Sequence, residues 1–158
     1  MKKIKRIINT FFILLLVFVI LVNILILYYK VINKEPLVRI FGYSILVIVS
    51  GSMEPNVNID DLLLIKKCDD YEVNDIITYQ VGKNLITHRV VEVQEEEDRL
   101  VTKGDSNNTS DKPIEKRQVK GKMVFKIKNF GKIVNFIKSP IGILLLILCN
   151  YLIIKFTF

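Results

Sequence analysis

The chain is apolar at both ends and alternates in the middle. From Ile7 to Tyr29 it reads IINTFFILLLVFVILVNILILYY without a charge, enough for the roughly 20 residues that a helix needs to cross a bilayer core. Asn9, Thr10 and Asn23 are tolerable inside such a helix. A cleavable leader would have an apolar region of about 7–15 residues followed by an A-x-A-like site, and this run is longer and lacks that site. The pattern predicts a retained anchor over 7–29, preceded by a basic segment over 1–6. The C-terminal run from Ile141 to Ile154 is shorter, and Lys138 and Pro140 interrupt its extension toward Ile133. It predicts a second transmembrane helix over 133–154, with a single interfacial helix from Phe130 to Ile154 as the alternative.

Between these ends the period changes to that of strands. Val31 to Gly42 is a connector in which Pro36 discourages helix. Tyr43–Val49 is rich in β-branched residues and too short for a helical span, so it predicts a strand. Leu62–Ile65 follows, and Asp75–Val81 turns through Gly82–Asn84 into Leu85–Val93, a hairpin signal. Arg99–Lys103 and Val119–Ile127 complete the set. In Leu85–Val93 a period of two puts Ile86, His88 and Val90 on one face and Thr87, Arg89 and Val91 on the other. The expected fold is mainly β, a small β-domain over 37–129 between two membrane helices.

Charge changes this picture little. The formal net charge of +7 comes largely from the flanks of the apolar runs and from Lys112 to Lys132, which holds eight Lys and Arg residues. No helical reading module or aromatic-basic platform accompanies it, so nucleic acid is not an expected partner; anionic lipid head groups are the simpler one. Lys2, Lys3, Lys5 and Arg6 outweigh Lys30, Lys34 and Arg39, a small bias toward a cytoplasmic N-terminus. Glu95 to Asp98 predicts a solvated loop tip. Cys68 and Cys149 lie in segments that cannot meet, and no C-x-x-C or His/Cys cluster suggests a metal.

Candidate chemistry centres on Ile45 to Pro55, an apolar run that ends in Ser50-Gly51-Ser52-Met53-Glu54-Pro55. A serine hydroxyl is a weak nucleophile until a base takes its proton. The chain has one histidine, so an imidazole base for Ser52 has a single candidate in His88. Asp105 and Asp111 are the acids of the polar loop Gly104 to Asp111. Each piece alone is ordinary: serine ends turns, histidine packs in strands and Gly-Asp-Ser-Asn is common loop chemistry. Met53 is either an ordinary turn residue or part of an apolar surface that rests among lipid head groups. Asn108-Thr109-Ser110 matches a glycosylation acceptor pattern, read as accidental in a Lys-, Ile- and Asn-rich chain.

Taken in order, Ser50-Gly-Ser-Met-Glu-Pro55, Asp75-Ile-Ile-Thr-Tyr79, Leu85-Ile-Thr-His-Arg-Val-Val-Glu-Val93 and Thr102-Lys-Gly-Asp-Ser-Asn107, followed by Asp111, resemble the successive motifs of type I signal peptidases. The similarity runs from about Tyr43 to Phe125 and is greater to the branch of archaea, the endoplasmic reticulum and some sporulating Gram-positive bacteria. The general bacterial branch is similar to Ser-Gly-Ser-Met but has a lysine base before Arg-Val-Val. His88 holds that place here, which excludes a Ser-Lys dyad at these positions.

The resemblance implies a membrane-bound serine endopeptidase that removes signal peptides from exported preproteins after small residues, on the extracytoplasmic side of the cell membrane. Ser52 is then the nucleophile and His88 the general base. Asp111 aligns with the acid that orients the histidine, and Asp105 is matched too, as a holder of the loop or of the histidine's surroundings. Ser50 Oγ and the Ser52 backbone N–H correspond to the oxyanion donors. No cofactor is implied. The rivals are a catalytically silent, membrane-anchored β-domain that binds exported peptides or a partner, and a self-cleaving protease of related fold.

Overall fold

The computed structural model describes residues 37–157 and, before them, residues 3, 7, 10–15, 17–18, 20–21 and 28. The chain divides into two compact units, Pro36–Lys132 and the pair Met1–Glu35 with Ile133–Phe158. Of the anchor expected over 7–29, residues 8–9, 16, 19, 22–27 and 29 lie outside the described residues, and the described ones are helical.

The unit Pro36–Lys132 carries one sheet of seven strands in the order β1-β2-β7-β3-β4-β5-β6, with every neighbouring pair antiparallel. The strands are β1 (Tyr43–Val47), β2 (Leu62–Lys66), β3 (Ile76–Val81), β4 (Asn84–Gln94), β5 (Arg99–Lys103), β6 (Ile114–Glu115) and β7 (Val119–Ile127). β1 and β2 form one antiparallel pair, and β3 to β6 form a meander. β7 returns between them: Lys122 stands opposite both Lys66 of β2 and Ile77 of β3. Gly121 makes that insertion possible, because a Cβ there would stand 2.9 Å from the Lys66 carbonyl oxygen, closer than a Cβ comes to a backbone oxygen.

The β3–β4 hairpin pairs Val81 with Asn84 around Gly82 and Lys83. Gly82 alone has positive φ, 59°, the pattern of a type II′ turn. Both faces of the sheet bury apolar side chains. One cluster joins Tyr71, Ile77, Tyr79, Val90, Leu100, Ile114 and Val119, with Ile86 packed against it. The other joins Ile48, Met53, Val57, Leu63, Ile65 and Ile76. Each such fully buried aliphatic side chain contributes about 1.5–3 kcal/mol. Met53 is 1% exposed, so the apolar surface imagined for it is corrected: its thioether fills the core beneath the serine turn.

Two helices end the described chain, α1 (Phe130–Lys138) and α2 (Pro140–Thr157). Pro140 lacks the N–H that continued helix requires, and Ser139 caps the new start by accepting from Gly142 N–H through Oγ at 3.1 Å. The single helix over Phe130–Ile154 is therefore broken in two. At about 1.5 Å per residue, the 18 residues of α2 measure about 27 Å. Among the described residues no helix is long and apolar enough to cross a membrane.

Candidate active site

Ser52 sits in the long connection from β1 to β2. Ile48 N–H donates to the Asp61 carbonyl and Asp60 N–H to the Ile48 carbonyl, both at 2.9 Å, closing that connection into a loop. Inside it Glu54 N–H reaches the Gly51 carbonyl and Val57 N–H the Met53 carbonyl. Buried Met53 and Val57 pin the loop from below. Asp61, 1% exposed, ties it to the end of β7 by accepting from Asn58 N–H and Asn129 N–H, both at 3.0 Å. Ser52 is thus held by a packed, doubly tethered turn with its side chain half-buried.

The hydroxyls of Ser50 and Ser52 are 3.5 Å apart. Among the described residues, the Ser52 N–H donates to no acceptor and no hydrogen bond joins Ser52 Oγ to the His88 ring. A donor left without an internal acceptor beside a hydroxyl is what an oxyanion site requires. Gly51 separates the two serines, and a Cβ on it would meet the Glu54 carboxyl at 3.2 Å.

His88 lies in β4 opposite Ile77 of β3, on the face shared with Ile86 and Val90 as the period of two predicts. It is 7% exposed. Its Nδ1 contacts Asp111 Oδ2 at 2.6 Å. With the carboxylate at Nδ1, Nε2 remains the nitrogen able to receive a proton. Asp111 N–H in turn donates to the Thr102 carbonyl at 2.8 Å. Burial pulls the Asp111 carboxyl upward, but hydrogen bonds from His88, Thr102 and Tyr79 outweigh it and hold the group below its ordinary value.

Asp105 has a different employment. Arg89 donates to it from Nε to Oδ1 at 2.8 Å and from Nη2 to Oδ2 at 2.7 Å, a bidentate pair. Asn56 Nδ2 adds a bond of 2.8 Å to Oδ2, and Arg89 Nη1 donates to the Asn74 carbonyl. The Arg89 hydrogen bonds hold the Asp105 carboxyl below its ordinary value against the opposing effect of burial, with Asn56 assisting. Asp105 therefore joins β4, the loop after β5 and the serine turn. Two further bonds complete that closure: Ser106 N–H donates to the Ser52 carbonyl at 3.0 Å and Ser106 Oγ to the Gly51 carbonyl at 2.9 Å. Gly104 permits it, since a Cβ there would stand 2.6 Å from the Ser52 carbonyl oxygen.

Comparison with characterised proteins finds signal peptidase I W of Bacillus subtilis, 32% identical over 113 residues, 68% of this chain and 58% of that protein. The chain is a relative of the type I signal peptidases. The signal peptidase complex catalytic subunit SEC11 of Colletotrichum graminicola is 43% identical over 77 residues, 44% of this chain and 45% of that protein. The human SEC11C subunit is 35% identical over 79 residues, 46% of this chain and 41% of that protein. The chain thus spans about half the length of the relatives it matches. A search against protein-family models returned no match.

Of the residues singled out in this signal-peptidase relative, His88 and Asp111 meet directly, Ser50 and Ser52 are neighbours, and Asp105 is bound elsewhere. Sequence reasoning missed Arg89, Asn56 and Ser106, which hold the loops, and Tyr79 and Thr102, which reach Asp111. The period of two already set Arg89 on the face away from His88, so an acid engaged by Arg89 is not the one that holds the imidazole Nδ1.

Proposed function

We propose that the chain is a membrane-anchored serine endopeptidase that cleaves signal peptides from exported preproteins after small residues. The observation that carries this is the 2.6 Å contact between His88 Nδ1 and Asp111 Oδ2, in a relative of proteins named signal peptidase, with the second acid engaged by Arg89. In the reaction, His88 Nε2 takes the Ser52 proton as Oγ adds to the scissile carbonyl. Ser52 N–H and Ser50 Oγ–H donate to the oxyanion. The imidazolium then protonates the leaving amine, and water repeats the sequence to release the acyl group from Ser52. Asp111 holds the ring tautomer and stabilises its charged form.

Apolar side chains near the site support action at a bilayer. On the face where Ile45 pairs with Leu64 and Leu64 with Phe125, Ile45 is 61% and Phe125 59% exposed, and Val49 is 85% exposed. With an anchor over 7–29 and the apolar helix Pro140–Thr157 held at the membrane, the β-domain over 37–129 works on the extracytoplasmic face, at the lipid boundary where signal peptides end. Two of the relatives are named catalytic subunits of a complex, which makes a second subunit a candidate partner.

The test is cleavage of one exported preprotein, in liposomes, by wild type, Ser52→Ala and His88→Ala. Both variants should lose roughly 10⁴-fold or more in rate. Undiminished cleavage by Ser52→Ala refutes the assignment. Wild type that binds the preprotein and leaves it whole identifies a silent binding domain.

A further inference from the structure

Asp111 Oδ2 receives more than the mechanism asks of it. Besides His88 Nδ1 at 2.6 Å, Thr102 Oγ1 lies 2.7 Å and Tyr79 OH 3.1 Å from the same oxygen. The two hydroxyls are 3.2 Å from each other. They come from different strands, β3 and β5, and both side chains are buried, Tyr79 at 2% and Thr102 at 0% exposure. Each hydroxyl has one proton. Thr102 makes the shorter contact and donates to the carboxylate, and the Tyr79 hydroxyl donates to the same oxygen. Tyr79 also stands edge-on to the His88 ring, with centroids 6.4 Å apart and planes at 67°.

Core packing alone does not call for this. Phe and Val would fill the same space without two buried hydroxyls to satisfy. Hydrogen bonds to an ionised carboxylate do two things: they fix its rotamer, and they draw off part of the charge that its remaining partner feels. The remaining partner is His88. We propose that Tyr79 and Thr102 are positioning residues that lock the Asp111 carboxylate and moderate the charge it presents to the imidazole. The proposal rests on His88 and Asp111 acting as set out above. Burial above all pushes the Tyr79 phenol up to about 12; the Thr102 hydroxyl opposes that and the Asp111 charge adds to it. Tyr79 therefore remains a donor through the neutral range.

The titratable and charged groups around the ring are Asp111 and Asp105 from the loop after β5 and Tyr79 from β3. Arg89 of β4 and Lys103 of β5, paired across the strands, flank the site. Asp105 is neutralised by Arg89 in the wild type and in every variant below, so it does not distinguish them. Removing either hydroxyl leaves more of the Asp111 charge for the His88 N–H and favours the imidazolium. The acid limb of kcat/KM then moves to higher pH.

A single histidine makes the test free of assignment. The full chain, labelled with ¹⁵N-histidine in detergent micelles, is titrated by NMR in the Ser52→Ala background, and preprotein cleavage is followed against pH with Ser52 intact. Tyr79→Phe and Thr102→Val should each raise the imidazole midpoint by about half a unit or more, and the acid limb by the same amount. Thr102→Ser keeps the hydroxyl and should restore the wild-type midpoint. An unmoved midpoint in both folded single variants overturns the proposal, whatever happens to the rate. A Thr102→Ser midpoint displaced as far as that of Thr102→Val assigns the effect to packing and overturns it as well. Cleavage that survives Ser52→Ala removes the catalytic assignment, while the midpoint still reports separately on the hydroxyl pair.

Discussion

Asp105→Asn should cost stability, whereas Asp111→Asn should cost catalysis. The substitution at 105 keeps the size of the side chain and removes its charge. An amide has one acceptor oxygen where the carboxylate has two, so of the two Arg89 bonds, at 2.8 and 2.7 Å, one becomes neutral on its acceptor side and the other faces an NH2 donor and is lost. A hydrogen bond to a charged group is worth about 1.5–3 kcal/mol net and a neutral one about 0.5–1.5, so the weakened bond costs about 1 kcal/mol and the lost one about 1.5 kcal/mol or more, about 2–3 kcal/mol in all. The Arg89 side chain is 25% exposed and that of Asp105 11%, so water recovers only a small part. For a domain of this size 1 kcal/mol moves Tm by about 4–8 °C, and the expected fall is roughly 10 °C. The chain has no tryptophan, so far-ultraviolet circular dichroism in detergent is the suitable probe.

Below its lowered Tm, Asp105→Asn should still cleave within about tenfold of wild type, because the Asp111 contact with His88 is untouched. Asp111→Asn should lose about 10⁴-fold in kcat, since an amide at that position supports the wrong imidazole tautomer. The pair of measurements refutes the division of labour if it comes out reversed. An Asp105→Asn variant that melts like wild type and does not cleave, beside an active Asp111→Asn, would make Asp105 the orienter.

Acid should unfold the domain through the same two carboxyls. Both lie below their ordinary values when folded, so their stabilisation is fully present above the unfolded-chain value of about 3.9. It is lost as pH falls below that value and through the folded ones; Tm measured against pH should drop there, and less steeply in Asp105→Asn. Gly104→Ala would place a Cβ 2.6 Å from the Ser52 carbonyl oxygen and 2.7 Å from Asn107 Nδ2, forcing the loop off the serine turn. A displacement of about 1 Å in a catalytic group can cost 10²-fold, so kcat should fall by about that factor, read in the preprotein assay.

Strand positions were legible where a short β-branched or apolar run lies between turn or charged residues, as in β1, β2 and β3, and the faces were legible where a period of two extends along the run, as in β4. β6 was not, because Ile114–Glu115 is too short to show a period and exists only through its pairing with Arg99 and Leu100. Nor does any local pattern reveal that β7 lies between β2 and β3. Met53 does lie in a turn, as one of its two readings had it, but only the closure of Ile48 onto Asp60 and Asp61 shows that its side chain packs inward and not at an apolar surface. The histidine was legible because it is single. Asp111 was named through its alignment with the family motif, while its contact with His88 depends on how the loop after β5 folds back onto Thr102.

That loop and β7 together explain why one small sheet can hold the whole constellation. Ser52 belongs to the β1–β2 connection and His88 to the β3–β6 meander, two segments with no direct strand pairing. β7 joins them as a common neighbour, with Lys122 opposite Lys66 on one side and Ile77 on the other. A sheet junction sets distance only to the precision of its twist. The finer adjustment comes from residues 104–111, whose Ser106 grips the Ser52 and Gly51 carbonyls, whose Asp105 grips Arg89 beside His88, and whose Asp111 grips His88 itself. Eight consecutive residues thus touch both the serine turn and the histidine strand. Asp105 holds in place the loop that carries Asp111, and on the mechanism proposed above Asp111 alone orients the imidazole.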